Sequence, residues 1–317
     1  MLTTIKCKQG EDMTRKIIVF VFVYILFLIR PYPIYGYQEQ EIPILMYHHL
    51  EDNINNTTVI SPENFESQMK LLKTEGYQAI SVQQLYDYLN DQAPLPPKPV
   101  LITFDDGYFS NYEKAYPILK KYNMHVEIFV IASRILEKNG NNYYPNETVK
   151  MSWDQLKEMK DYITIQSHTW DLHYKLPSKS GKPIGAVFGP SFVNGQLESQ
   201  AEYEERVRND FIHSRKRIKE ELGYEPIAIS YPYGIYSPST IKLAKEAGFK
   251  MAFVIQNKHV KKGDSIFTLS RITINGNDTG ETFIQKLKTA KNTASQYCIK
   301  KAYNIAIAYC KPFLLYY

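Results

Sequence analysis

The sequence predicts an α/β fold of parallel strands, better closed as a barrel of about seven β/α units than left as an open sheet. Three observations carry this. Short apolar, β-branched runs alternate with segments of helical period. The helical segments open at serine or serine-proline and stop at glycine. The residues with obvious chemistry fall directly after the apolar runs, where parallel α/β folds keep their active sites.

Taken in order, residues 42–47 (IPILMY) form the first buried-strand candidate. Ser61-Pro62 opens a helix with Phe65, Met69 and Leu72 on one face and Gly76 at its end. A short strand at 78–81 leads into a helix that Ser81 and Gln84 cap reciprocally. A proline-rich connector (94–99, PLPPKP) precedes the strand VLITF at 100–104. A helix over 111–122 and a strand over 126–131 follow. Ser152 caps the next helix, and 162–166 is a strand. Residues 178–200, rich in Gly, Pro and Ser, read as a long loop, followed by a helix over 203–222 stopped by Gly223. Strands at 227–231, 251–255 and 271–274 complete the pattern, with a helix from Ser237-Pro238 to Gly248 between the first two. There is no internal repeat.

The 317 residues, 44% of them hydrophobic, suffice for one large domain or two small ones. The 26 tyrosines suit a protein that meets sugars, and equally suit half-buried structural positions. Lys6, Lys8, Arg15 and Lys16 precede an apolar run at 17–29 that Arg30 and Pro31 end. The run is short for a bilayer span, which takes about 20 residues, and the pattern is that of a secretory signal. Cleavage after Gly36 places the large Ile34 at the −3 position, so an uncleaved membrane anchor stays open. Either way the main domain is expected outside the cytoplasm, secreted or at the cell surface. The expected division is 1–36 as signal or anchor, 37–290 as the main domain and 291–317 as a tail.

The net charge of +5 resides at the ends: residues 1–36 carry +3 and 291–317 carry +4, which leaves −2 between them. Nucleic acid is excluded as a partner on that ground. The basic tail suits contact with an anionic cell wall or membrane surface. The three cysteines, Cys7, Cys298 and Cys310, lie outside 37–290, which excludes a cysteine nucleophile and a disulfide scaffold there. Cys7 precedes the apolar run, unlike a lipoprotein cysteine, and a Cys298–Cys310 bond stays open.

Four strand ends carry candidate chemistry: His48-His49, Asp105-Asp106-Gly107, Ser167-His168 through His173, and Pro232-Tyr233-Gly234. Adjacent carboxylates at one strand end repel unless a cation lies near, although Asp-Gly alone is a common turn. Gly107 can relax the backbone so that both carboxylates reach one cleft. His168 and His173 are five residues apart, about 500° around a helix, so they share no helical face and need a strand end plus a loop. That sets them apart from the HExxH helix of zinc proteases. Two histidines and a carboxylate leave coordination positions open, as at a catalytic zinc, and non-haem iron uses the same set.

Thr103-Phe104-Asp105-Asp106-Gly107 resembles the first signature of the NodB-homology polysaccharide deacetylases, carbohydrate esterase family 4. Ser167-His168-Thr169 with His173 resembles the second, Tyr231-Pro232-Tyr233-Gly234 the third. The five-residue histidine spacing and the opening at 42–48 resemble the biofilm poly-β-1,6-N-acetylglucosamine deacetylases within that family. The resemblance spans about residues 41–290. It implies a distorted (β/α)7-type barrel and removal of N-acetyl groups from an N-acetylglucosamine polysaccharide. The implied metal ligands are Asp106, His168 and His173, holding zinc, or cobalt or another transition metal. Asp105 is the implied general base, and the Tyr233 backbone N–H an oxyanion donor. The family's late Leu-His motif has no match after residue 259; His48 fits that acid role through a circular permutation. The arginine that usually opens the third signature is replaced, as Ser230 and Tyr231 precede the proline, and Arg271 is the candidate orienter of Asp105 in its stead. An O-acetyl esterase acting on xylan-like glycans and a non-catalytic wall-binding protein are the competing readings.

Overall fold

Val, Ile, Leu and Phe without alternating polarity favour strands covered on both faces, and seven such runs join here into one parallel barrel. The computed structural model describes residues 40–53, 56–137 and 147–289. The barrel strands are β1 (Ile44–Tyr47), β2 (Pro99–Asp105), β3 (Val126–Val130), β4 (Ile163–Ser167), β5 (Ala228–Ser230), β6 (Met251–Ile255) and β7 (Leu269–Thr273). Each pairs with the next in chain order, and β7 returns to β1 through Leu45↔Ile272. The ring is uneven. β3 and β4 pair from Val126↔Ile163 to Val130↔Ser167, whereas β4 and β5 pair only at Ile229↔Ser167. At that thin seam the Gln166 side-chain oxygen accepts from Ile227 N (3.1 Å) and Ala228 N (3.0 Å), replacing the missing ladder.

The outer layer holds α1 (Pro62–Thr74), α2 (Val82–Leu89), α3 (Tyr116–Tyr122), α4 (Trp153–Glu158), α5 (Gln200–Leu222), α6 (Pro238–Glu246) and α7 (Gly280–Thr289). Ser81, Ser152, Ser199 and Ser237 close reciprocal caps with Gln84, Gln155, Glu202 and Thr240. α1 buries Phe65, Met69 and Leu72, as its spacing predicts, and Phe65 meets Tyr47 and Phe104 of the barrel edge on.

Two segments differ from expectation. Residues 111–122 are not one helix: a π turn (Asn111–Ala115) precedes α3. Pro117 has no N–H to continue an α ladder and sits instead in the first turn of a new helix. The expected loop at 178–200 holds the second strand of one small hairpin, the whole of another and the start of α5. Lys175–Pro177 pairs with Pro183–Gly185, and Phe192–Val193 with Gln196–Leu197. The second turns through Asn194 (φ 51°) and Gly195 (φ 82°), the left-handed pair that an Asn-Gly hairpin turn requires.

Among the described residues no helix is long and apolar enough to cross a membrane. The apolar run at 17–29, the cleavage position after Gly36, the three cysteines and the tail at 291–317 lie outside the described residues.

Gly234, after β5, has φ 67°, and a Cβ there would lie 2.9 Å from the backbone nitrogen of Ile255. Gly234→Ala is therefore expected to lower unfolding free energy by about 2 kcal/mol, from left-handed strain plus contact with an immobile atom. Urea denaturation measures this; a loss below about 0.5 kcal/mol, the range of ordinary surface changes, would show the backbone yields there.

Candidate metal centre and active site

β2 delivers two carboxylates to the same end of the barrel. Asp105 is the last strand residue, and Asp106 turns left-handed (φ 72°) before Gly107 (φ 70°). The turn was expected of Gly107 alone; Asp106 shares it, aspartate being among the few residues that tolerate this region. A Cβ on Gly107 would meet Ile135 Cδ1 at 2.9 Å and Val130 Cγ1 at 3.1 Å, so the chain approaches β3 too closely for a side chain. Both carboxylates are buried.

Arg271, fully buried on β7, forks onto Asp105 with Nη1 to Oδ1 and Nη2 to Oδ2, both 2.7 Å. Nη2 also donates to Ser230 Oγ at 2.7 Å. Burial, the largest single influence, would raise the Asp105 pKa, but the Arg271 charge and hydrogen bonds together with His168 and His48 hold the carboxyl below its usual range. The pairing keeps Asp105 ionised and fixes both oxygens.

Asp106 lacks an arginine. Its Oδ1 is buried without a hydrogen-bond partner, 3.6 Å from His168 Nε2 and 3.5 Å from His173 Nε2. His168 Nδ1 lies 2.7 Å from the Ser230 carbonyl. A carbonyl only accepts, so Nδ1 carries the proton and Nε2 turns a lone pair toward Asp106. Ligand atoms of Asp106, His168 and His173 all lie within 4.8 Å of one another. An orphaned carboxylate oxygen facing the His168 lone pair, with a second imidazole nitrogen beside it, calls for a cation, and this set of residues fits a divalent transition metal. Burial, opposed by Asp106, moves His173 down to about 4, which leaves it neutral and able to ligate.

The histidine spacing is realised by a clamped loop. On one side His168 N donates to Val130 O (2.8 Å), while Ala132 N and Ser133 N donate to the carbonyls of Thr169 and Trp170. On the other, Asp210 of α5 accepts from Trp170 N and Asp171 N, each at 2.8 Å. Between these clamps Thr169 is held at φ 79°, strained for a β-branched residue. Ser167 Oγ accepts from Thr169 N, and Thr169 Oγ1 from Leu172 N. Tyr233, at φ 60°, lays its ring on His173 (centroids 4.7 Å) and donates its hydroxyl to the His173 carbonyl at 3.1 Å. Its ring is thus no core residue; it stays 40% exposed at the mouth. Trp170 instead packs against the core.

His48 follows β1 into the same centre. Asn111 Nδ2 donates to its carbonyl at 2.9 Å, and its buried Nδ1 has no hydrogen-bond partner. Burial lowers its pKa, while Asp105 and Asp106 pull it back up. The neighbouring His49 is turned away, with Nδ1 2.7 Å from Ser110 Oγ. Sequence reasoning missed Asp210 and Lys150. Asp210 lies in a run of charged residues that reads as a solvated helix face, and only its contact with the ligand loop marks it.

Residues 92–252 match the family model described as polysaccharide deacetylase. YxkH of Bacillus subtilis, named for that activity, is 30% identical over 252 residues, 79% of this chain and 77% of its own. The solved de-N-acetylase from Aggregatibacter actinomycetemcomitans superposes with a TM-score of 0.69 at 31% identity, over 78% of this chain and 100% of that one. The poly-β-1,6-N-acetyl-D-glucosamine N-deacetylase of Escherichia coli is 25% identical over 269 residues, 80% of this chain; the match covers only 39% of that longer enzyme. The barrel is of the NodB type, and the chain belongs to the polysaccharide deacetylase family.

Asp210→Asn turns one acceptor into a donor facing a backbone N–H. It is expected to weaken metal binding about 10- to 100-fold, with unchanged circular dichroism; unaltered affinity in a chelator-competition titration would contradict the clamp. Burial pushes the Asp210 carboxyl up to about 7 against the pull of its two N–H donors. The folded state then holds a proton that the unfolded chain, with a pKa of about 3.9, releases. This residue's contribution is present below about pH 4 and falls as pH rises to about 7. Melting temperatures from pH 4 to 8 should therefore decline more in the parent than in Asp210→Asn, and parallel profiles would refute the linkage.

Proposed function

We propose that this enzyme removes N-acetyl groups from a polysaccharide of N-acetylglucosamine, with poly-β-1,6-N-acetylglucosamine as the foremost substrate. One observation carries the reading: the acceptor-only set of Asp106, His168 and His173 adjoins a carboxylate, Asp105, that an arginine holds ionised. The names of the matched E. coli and A. actinomycetemcomitans proteins support N-deacetylation, and the former supports the β-1,6 polymer. Zinc is the metal proposed for the site, with cobalt able to take the same donors. Bound there, it supplies Lewis acidity to the acetamide carbonyl and acidifies water.

The chain's own groups do the rest. Asp105, whose Oδ2 lies 3.9 Å from His168 Nε2, takes a proton from the attacking water. Arg271 fixes its orientation at some loss of basicity, because the guanidinium stabilises the charged form. The backbone N–H of Tyr233, whose residue turns left-handed, is the oxyanion donor of this reading. His48, buried at the same centre with its Nδ1 unpaired, is the acid of this reading and gives a proton to the departing nitrogen. The basic residues before the apolar run at 17–29 support action outside the cytoplasm, secreted or anchored, where such a polymer lies.

Acetate release from β-1,6-linked oligomers, chitooligosaccharides and peptidoglycan, with zinc or cobalt supplied, tests the reaction and ranks the substrates. No release from any of the three would defeat the proposal. Asp105→Asn is expected to lower kcat at least about 100-fold while retaining metal; normal turnover would remove Asp105 as the base. An amine is a poor leaving group and an alcohol a better one. His48→Ala should therefore depress hydrolysis of an N-acetyl substrate about 100-fold and that of an activated acetyl ester far less. Equal losses on both would remove His48 as the acid.

A further inference from the structure

Lys150 stands at the mouth of the site and has no role in the mechanism above. It lies on a segment that runs antiparallel to the turn after β2: Phe109 N donates to Val149 O (2.8 Å), Met151 N donates to Gly107 O (3.0 Å), and Tyr108 bridges to Lys150. This pairing brings the lysine beside Asp106. The residue is 5% exposed. Its Nζ sits 3.5 Å from the centre of the Tyr108 ring, which itself lies 5.1 Å, centroid to centroid, from the His49 ring. The ammonium's charge lowers the carboxyl pKa of Asp106 and the imidazole pKa values of His173 and His49, as a cation near the centre would.

Among the described residues no acceptor lies within hydrogen-bonding or ion-pair reach of Lys150 Nζ. The residue is nearly buried, but its three N–H donors have only an aromatic face beside them and are left to solvent or to a ligand. Such a group in a folded protein calls for an explanation outside the chain's own hydrogen bonds. The nearest cause is a ligand oxygen that arrives with the substrate. Lysine donates and never accepts, and a neutral glycan offers hydroxyl oxygens as acceptors.

We propose that Lys150 is a substrate-anchoring residue whose ammonium donates to a hydroxyl oxygen of the sugar held at Asp105 and Asp106. The inference rests on the glycan deacetylase reading. It assigns the sugar a fixed contact on the β2 side of the centre, opposite no residue already used for chemistry. The Tyr108 ring lies under the ammonium and sets its height.

The test compares the parent with Lys150→Met, which keeps length and removes charge, and with Lys150→Arg, which restores it. An N-acetylglucosamine oligomer cleaved by the parent is the probe, its binding read by isothermal titration beside the kinetics. Lys150→Met is expected to raise KM and the dissociation constant about tenfold or more, with kcat within about threefold and partial recovery in Lys150→Arg. Its melting temperature should be unchanged or higher, since an uncompensated buried charge is gone. A lowered melting temperature with unchanged KM and binding would make Lys150 a structural residue and overturn the proposal. Weaker inhibition by acetate with unchanged KM would assign the ammonium to the product carboxylate and overturn it too. If the parent binds the oligomer but releases no acetate, the reaction assignment fails while the binding comparison still judges the anchor.

Discussion

Two carboxylates leave one strand side by side, with almost no water to share between them, and most of the site follows from how their charges are kept apart. Asp105 is answered inside the protein by the Arg271 fork, with Ser230 bracing the guanidinium. Among the described residues Asp106 has no cation within ion-pair reach, only the Nε2 atoms of two uncharged imidazoles. One carboxylate is thereby a fixed, ionised acceptor and the other is left open to a cation. Chemically identical groups acquire different roles because their partners differ.

Holding these groups together has a backbone cost, concentrated where the chemistry is. Asp106, Thr169 and Tyr233 are all non-glycine residues in the left-handed region, one after each of β2, β4 and β5. Each such residue costs on the order of 1–3 kcal/mol unless its side chain tolerates the region. The surroundings overdetermine them. Asp210 and the segment after β3 grip the Thr169 loop from both sides, and Tyr233 is pinned by its hydroxyl on the His173 carbonyl. The clamps make the strain tolerable, and the strain turns Nε2 atoms and backbone N–H groups toward one point.

Much of this was legible in the residues. The strands are apolar on both faces, so their ends could be read, and Asp105, Asp106, His168 and His173 stand at those ends. The five-residue histidine spacing already demanded a strand end plus a loop. Other parts left weaker marks. The Asn194-Gly195 hairpin was signalled by its dipeptide and was hidden by the glycine, proline and serine around it. Pro117 signalled the break before α3. Asp210 and Lys150 carry no local mark, because a charged residue in a polar stretch reads as solvated until something covers it.

The sequence by itself determined the order of strands and helices, the caps that begin the helices, and the residues that stand at each strand's C-terminal end. These depend on local pattern and near neighbours, which the chain carries wherever it goes. The tertiary structure decided the closure of β7 onto β1 and, through it, which carboxylate Arg271 would meet, 166 positions away in the chain. It also decided which buried polar groups are satisfied and which, like Asp106 Oδ1 and the Lys150 ammonium, are left facing the site. Burial and partnership arise only when distant segments exclude water together, so no local pattern could have announced them.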